Sequence, residues 1–191
     1  MNDLIKMQPR IILDTQLFNL TIDRLCHQLI ENHKDFSSSA IIGVQPRGVL
    51  LAERIHQRLT SILSGTEILF GVLDFTFHRD DLLSREEMIL PSQTKIGFQV
   101  EGKRIILVDD VLYTGRTIRS ALDALIDYGR PEDVELLVMI DRRLHRTVPI
   151  QAKYVGKRVD SIVEEQVKVE WAGENSEDRV WIVEKNNSDT E

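Results

Sequence analysis

The stretch Ile105-Ile-Leu-Val-Asp-Asp-Val-Leu-Tyr-Thr-Gly-Arg-Thr117 decides the fold. Its first four residues are apolar, and the run is short enough to be a fully buried parallel strand. Asp109 and Asp110 then lie at the carboxyl end of that strand, where open α/β sheets bind ligands. The turn beyond them places backbone N–H groups, two threonine hydroxyls and Gly115 at the start of a helix, which suits an anion. Carboxylates for sugar hydroxyls beside a cradle for phosphate predict a site for ribose 5-phosphate.

The same stretch closely resembles the phosphoribosyl diphosphate (PRPP) signature of type I phosphoribosyltransferases. The longer string Val108-Asp-Asp-Val-Leu-Tyr-Thr-Gly-Arg-Thr117 is similar to the family of bifunctional pyrimidine operon attenuator and uracil phosphoribosyltransferase proteins. A polar turn after a buried strand also occurs in other doubly wound domains, and paired acids occur in receiver domains. Neither alternative requires Thr-Gly-x-Thr at this spacing, so the nucleotide site is favoured. The resemblance assigns ribose and 5′-phosphate contacts to Val108, Asp109, Asp110, Val111, Leu112, Tyr113, Thr114, Gly115, Arg116 and Thr117.

Hydrophobic periodicity and this resemblance together indicate an α/β fold of the type I phosphoribosyltransferase class. The expected fold is a mainly parallel sheet flanked by helices, with a flexible hood loop and a small C-terminal β hood. We expect a single phosphoribosyltransferase domain over residues 1–184 and a disordered tail over 185–191. The predicted strands are Arg10–Leu13, Ala40–Val44, Glu67–Phe77, Ile105–Val108, Val134–Ile140, Glu165–Trp171 and Val180–Val183.

The composition restricts the classes of protein to which this chain can belong. With 191 residues, 42% hydrophobic and 29% charged, the chain is typical of a soluble globular domain. No apolar run approaches a membrane span, and we expect no signal peptide. The single cysteine, Cys26, cannot form an internal disulfide. We therefore expect a cytoplasmic protein.

The net charge of −7 is unevenly distributed. From Asp160 to Glu191 there are ten acids against three bases, whereas residues 142–158 carry six bases and no acid. We call residues 142–158 the basic segment. An acidic chain with one basic segment argues against indiscriminate nucleic-acid binding, but it allows phosphate binding or a local RNA surface.

A second strand-end loop, Gln45-Pro-Arg-Gly48, precedes the second predicted helix. In type I phosphoribosyltransferases the corresponding loop binds pyrophosphate, and in the attenuator family that this chain resembles it usually reads Thr-Arg-Gly. The resemblance therefore assigns Pro46, Arg47 and Gly48 to pyrophosphate, although Pro46 replaces the threonine and removes one hydroxyl. An ordinary turn is the alternative for this loop.

The polar stretch from His78 to about Val100 has no clear period, which is typical of a lid or a disordered loop. In the superfamily it is the hood loop that closes over PRPP and excludes water. Arg79 is the candidate to reach pyrophosphate, because a guanidinium binds two oxygens at once. The alternative for Arg79 is an ion pair with Asp80 or Asp81.

The resemblance continues through Asp141–Lys157, although one residue is inserted before His145 and Lys153 replaces an acid. It implies base contacts from Arg142, Val155 and Gly156. It also matches candidate RNA-binding residues on the first helix and in the basic segment. These candidates are Arg24, His27, His145, Arg146 and Lys157. Three features argue against RNA binding: Asp23 on the same helix, the altered loop and the acidic net charge of the chain.

Three hypotheses follow from these observations. The first is a uracil phosphoribosyltransferase that forms UMP and pyrophosphate, with Asp109, Asp110 and Arg79 as catalytic residues. The second is an attenuator that binds pyrimidine leader RNA and responds to UMP or UTP, with secondary catalysis. The third, a purine phosphoribosyltransferase, is disfavoured because purine enzymes of the superfamily commonly carry Glu-Asp in place of Asp109-Asp110. We expect Mg²⁺ to arrive on PRPP rather than in a protein cage, and we expect a homo-oligomer, a dimer or larger.

Overall fold

A computed structural model describes residues 9–80, 92–161, 165–172 and 177–184. The tail at 185–191 and residues 81–91 of the expected hood loop lie outside this described part. Three helices and eight strands are found in it, together with 3-10 turns at Thr76–His78 and Arg143–His145. The strands are β1 (Arg10–Leu13), β2 (Ser39–Val44), β3 (Leu69–Leu73), β4 (Arg104–Leu112), β5 (Asp133–Arg142), β6 (Tyr154–Val159), β7 (Glu165–Glu170) and β8 (Arg179–Glu184). The helices are α1 (Thr15–His33), α2 (Gly48–Ile62) and α3 (Arg116–Ile126).

Five parallel strands form the main sheet in the order β3-β2-β4-β5-β6. Strand β4 is central because its apolar residues alternate between two cores. Ile106 and Val108 face the core that contains α1 and α2, whereas Ile105 and Leu107 face the core that contains α3. All five carboxyl ends therefore meet at one edge, and β4 brings Asp109 and Asp110 to its centre.

Strand β3 ends earlier than the sequence predicts. The prediction extended this strand to Phe77, but it stops at Leu73 and residues 76–78 form a 3-10 turn. Asp74 explains the difference, because its carboxylate accepts the backbone N–H of Thr76 at 2.6 Å and so stabilises a turn. The same carboxylate accepts the N–H of Ser92 at 2.5 Å, which ties Ser92 to the turn that follows β3.

The smaller sheet is antiparallel, in the order β1-β8-β7. It confirms the predicted C-terminal β hood and adds to it the N-terminal strand β1, which the sequence did not place there. Trp171, which follows β7, is buried edge-on against Phe18 of α1, with ring centroids 5.6 Å apart. The hood is thus fixed to the α1 side of the main sheet. Within the described residues, no helix is both long and apolar enough to span a membrane.

Candidate active site

Asp109 and Asp110 form the centre of the candidate site. Strand β4 continues to Leu112, so both carboxylates lie within its last four residues and not beyond its end. Each residue is only 7% exposed, and Asp109 Oδ1 accepts the backbone N–H of Asp110 at 2.9 Å. Burial, and then the neighbouring charge of Asp110, raise the pKa of Asp109 well above its ordinary value. Burial also raises the pKa of Asp110, although the hydrogen bond from Arg47 opposes the rise.

The loop at residues 45–48 packs directly against this pair. Arg47 Nε donates to Asp110 Oδ2 at 2.8 Å, and Arg47 Nη2 donates to the carbonyl of Val169 in the hood. A glycine is required at position 48, because a Cβ there would lie 2.4 Å from the carbonyl oxygen of Val108 and 2.9 Å from Asp109 Cα. The Gln45–Pro46 peptide is cis. The structure therefore brings the predicted pyrophosphate loop into contact with the predicted ribose carboxylates.

The turn after β4, residues 113–115, leads into α3. Gly115 has a φ of +90°, a left-handed conformation that favours glycine. Helix α3 starts at Arg116, so its first backbone N–H groups lack acceptors within the helix and carry the positive end of its dipole. Residues 146–148 pack on the other side of this turn, since the N–H groups of Thr147 and Val148 both donate to the carbonyl of Thr114, at 3.0 and 3.1 Å. We call residues 113–115 the phosphate turn.

The start of the predicted hood loop lies on α3. Asp80 accepts from Arg116 at 2.9 Å and pairs with Arg119 at 3.3 Å, so Arg116 is bound to a carboxylate. Arg79 is half-buried with its guanidinium 5.8 Å from the ring of Phe75. Its contact with pyrophosphate stays a prediction, and Asp81, its other suggested partner, is outside the described residues.

The three predicted base contacts lie on β5 and β6. Arg142 is buried at the end of β5, where it donates to Ser161 Oγ and to the Glu165 carbonyl at 2.8 Å each. Its guanidinium also lies 4.1 Å from the ring of Tyr113. The carbonyls of Val155 and Gly156 on the edge strand β6 accept from Arg24 at 3.2 and 2.6 Å. The base role of all three residues stays a prediction.

The candidate RNA residues form two groups. Arg24 and His27 are exposed on α1, and Lys157 lies beside them on β6, where its Nζ donates to the Ile12 carbonyl at 3.1 Å. His145 and Arg146 instead turn towards the phosphate turn. His145 lies edge-on to the Tyr113 ring at 5.6 Å, and Arg146 donates to the Tyr113 carbonyl and to Asp141.

Asp23, which the sequence counted against RNA binding, is itself paired. Arg58 of α2 donates to both of its carboxylate oxygens, at 2.5 and 3.0 Å. Since this pair cancels the acidic charge, Asp23 opposes a phosphate backbone less than the sequence suggested.

A separate buried polar cluster lies near the opposite end of the sheet, around Glu135 of β5. Its carboxylate accepts from Lys153 at 2.6 Å, from Tyr154 at 2.6 Å and from Arg104 at 2.7 Å, and it lies 3.0 Å from His33 Nε2. Burial alone would raise the pKa of Glu135, but these bonds outweigh burial and lower it to about 2. None of these residues is among the predicted site residues, although an acid inside an apolar strand is a usable signal.

Comparisons with known proteins agree with this geometry. The phosphoribosyl transferase domain family matches residues 10–174. Among solved structures, a hypoxanthine-guanine phosphoribosyltransferase of Bacillus anthracis superposes with a TM-score of 0.65 at 15% identity, covering 93% of this chain and 99% of that one. A hypoxanthine phosphoribosyltransferase of Staphylococcus aureus gives a TM-score of 0.62 at 19% identity, covering 85% of each chain. At these identities the structures confirm the type I fold.

Two curated relatives are much more similar in sequence. Bifunctional protein PyrR of Elusimicrobium minutum is 43% identical over 178 residues, covering 93% of this chain and 98% of the relative. Bifunctional protein PyrR of Bacillus cereus is 40% identical over 180 residues, covering 93% and 99%. The chain therefore belongs to the phosphoribosyl transferase domain family and, within it, to the family of bifunctional PyrR proteins.

Proposed function

We propose that this protein transfers the phosphoribosyl group of PRPP to uracil, forming UMP and pyrophosphate. The observation that carries the proposal is the contact of three elements at one sheet edge. The buried carboxylates of β4 touch the Arg47–Gly48 loop, and the phosphate turn follows them directly in the chain. Open α/β sheets bind their ligands at this edge.

In the proposed reaction, the bond from C1′ of ribose to the pyrophosphate oxygen breaks and that oxygen keeps the electron pair. N1 of uracil supplies the pair for the new bond to C1′, and its proton passes to solvent water. Asp109 and Asp110 accept hydrogen bonds from the 2′ and 3′ hydroxyls and stabilise the positive charge that develops on the sugar. The protein thus contributes positioning and charge stabilisation.

The phosphate groups are bound at the two ends of the ribose. The phosphate turn and the first N–H groups of α3 hold the 5′-phosphate. Arg47 and Gly48, with Arg79 from the start of the hood loop, hold the pyrophosphate as it leaves. Arg47 is suited to this because its planar guanidinium can bind two oxygens of one phosphate.

Magnesium fits this site as an ion that arrives on PRPP. Oxygen donors are the ligands that Mg²⁺ prefers, and Asp109 and Asp110 supply them. Among the described residues, no group of three or more histidine, cysteine, aspartate or glutamate side chains could form a cage. When bound, Mg²⁺ would neutralise the charge of the diphosphate.

Two measurements test the enzyme. Initial rates with PRPP and uracil, hypoxanthine or guanine should show turnover with uracil, and faster turnover with either purine would refute the uracil assignment.

The double substitution Asp109→Asn, Asp110→Asn should lower kcat/KM at least about 100-fold, because each lost bond to a charged carboxylate is worth about 1.5–3 kcal/mol. Asp123→Asn on the exposed face of α3 is the matched control and should leave the rate unchanged.

We also propose a second function, uridine-nucleotide-dependent binding of pyrimidine leader RNA. It is supported by the exposed basic side chains of Arg24 on α1 and Lys157 on β6, and by the pairing of Asp23 with Arg58. Titration with leader RNA should give binding that strengthens with UMP or UTP and weakens with salt. No binding at physiological salt would leave only the enzyme. The expected cytoplasmic location and homo-oligomer stay predictions.

A further inference from the structure

Residues 142–148 of the basic segment pack against the phosphate turn, with most of their contacts at Tyr113. The guanidinium of Arg142 lies over its ring, His145 meets the edge of that ring, and Arg146 donates to its backbone carbonyl. The next carbonyl, that of Thr114, accepts from two backbone N–H groups of residues 147 and 148. The carbonyls of Tyr113 and Thr114 are therefore both held by one outside segment.

This arrangement fixes where the amide groups of the turn point. In a trans peptide the C=O and the following N–H point in opposite directions. Because Arg146 binds the Tyr113 carbonyl, the backbone N–H of Thr114 points away from Arg146. The bonds from residues 147 and 148 to the Thr114 carbonyl direct the backbone N–H of Gly115 away from those residues in the same way. The amides of Thr114 and Gly115 thus face away from residues 146–148. Adjacent amides oriented together make a concave anion site.

Arg146 also connects the turn to the sheet. Its second terminal nitrogen donates to Asp141, which is 5% exposed near the end of β5 and is paired in register with Leu112 of β4. The side chain of Arg146 is only 18% exposed, so two acceptors and the surrounding packing fix its position. A guanidinium can bridge two acceptors at a fixed separation, whereas the ammonium of lysine is a single point charge on a flexible stem.

We propose that Arg146 is a positioning residue of the phosphate turn, which orients its amides for the 5′-phosphate of PRPP. This inference rests on the proposed phosphoribosyltransferase function and deepens it. It gives Arg146 an intramolecular role, in contrast to the RNA contact that the family resemblance implies for the same residue.

The test compares Arg146→Ala and Arg146→Lys with the control Arg143→Ala. Arg143 begins the 3-10 turn that immediately precedes Arg146, and it pairs with Asp160 through a side chain that is 53% exposed. Arg146→Ala should raise the KM for PRPP and the Kd for inorganic phosphate about tenfold, which corresponds to about 1.4 kcal/mol. The KM for uracil should stay within about twofold and kcat within about threefold. Arg146→Lys, which can keep one of the two bonds, should recover part of the loss, and Arg143→Ala should resemble the wild type.

Equal KM values for PRPP in the wild type and Arg146→Ala would overturn the inference while the proposed function stood. An equal rise in the KM for both substrates would do the same, since general loosening of the fold has no preference for PRPP. If Arg146→Ala does not fold, the inference is tested with Arg146→Lys, whose KM for PRPP should exceed the wild-type value about threefold. A wild-type protein with no turnover from PRPP would instead refute the proposed function. Weaker RNA binding by Arg146→Ala with an unchanged KM for PRPP would assign the residue to RNA.

Discussion

Gly48→Ala is expected to disable the site by separating two backbone segments. The new Cβ would lie 2.4 Å from the Val108 carbonyl oxygen and 2.9 Å from Asp109 Cα, whereas ordinary contact begins at 3.4 Å. The atoms in conflict are backbone, so no side-chain rotamer relieves them. The loop or the strand end must shift by about 1 Å, and Arg47 shifts with the loop.

The size of the effect follows from that displacement. Overpacking of this kind costs about 1–3 kcal/mol of stability. For a chain of this length, each kcal/mol lowers Tm by about 2–4 °C, so Tm should fall by about 2–12 °C. A misplacement near 1 Å in a positioned site can cost about 100-fold in rate, so kcat/KM with PRPP and uracil should fall by about that factor.

The matched control is Gly97→Ala. A Cβ at Gly97 meets no heavy atom within 4 Å, so the same chemical change should leave both Tm and rate close to wild type. The assay is the initial rate of UMP formation, with a thermal melt of each variant. A Gly48→Ala protein with wild-type kcat/KM would refute the claim that this loop must touch the strand end. A lower Tm with an unchanged rate would mean that Gly48 contributes to stability and not to activity.

Two further predictions concern buried acids. Asp109→Asn should abolish most activity yet raise Tm at pH 8, because the raised pKa of Asp109 means that its ionised form destabilises the fold. Stability of the wild type should therefore fall, relative to the variant, as pH rises from the ordinary carboxyl pKa of 3.8 towards the raised value, as measured by melts across pH. Glu135→Gln should lower stability on the order of 3 kcal/mol at pH 7, because the pKa of Glu135 is lowered from 4.5 to about 2. That difference should disappear as pH falls from 4.5 to 2, which denaturant titration at each pH can follow.

Opposite pH trends would contradict both assignments. An Asp109→Asn variant that is less stable than wild type at pH 8 would mean that Asp109 is stabilised as a carboxylate. A stability difference for Glu135→Gln that is the same at pH 7 and at pH 2 would mean that packing, and not the charge of the carboxylate, is responsible.

The sequence predicted the parts of the fold that are encoded locally. Short apolar runs and helical spacing predicted the three helices and four of the five strands of the main sheet, because burial on a sheet or along one helix face imposes a period on nearby residues. The edge strand β6, Tyr154–Val159, was not predicted. The Asp109-Asp110 pair and Arg47-Gly48 were found from the same patterns, since each lies at or near the carboxyl end of a predicted strand. Parallel strands then bring such strand ends together without further information.

The features that the sequence did not predict depend on partners distant in the chain. Strand β1 pairs Arg10 with Ile182, and nothing in either segment specifies the other. The early end of β3 is a local exception, since the hydrogen bond from the Thr76 N–H to Asp74 joins residues two apart. Arg146 was assigned to RNA from the family resemblance, whereas its bonds to Tyr113 and Asp141 are seen only in the folded loop.

The buried carboxylate pair accounts for the arrangement of the residues around it. Two adjacent carboxylates at 7% exposure oppose folding unless protons, donors or cations offset their charge. Arg47 offsets Asp110, and Gly48 allows the loop that carries Arg47 to reach it. The pKa values of both acids nevertheless stay raised, so the offset is incomplete. Ribose hydroxyls and a metal-bound diphosphate would supply the hydrogen-bond donors and positive charge that the protein's own residues do not provide. A site that is costly to fold is for that reason selective for the ligand that completes it.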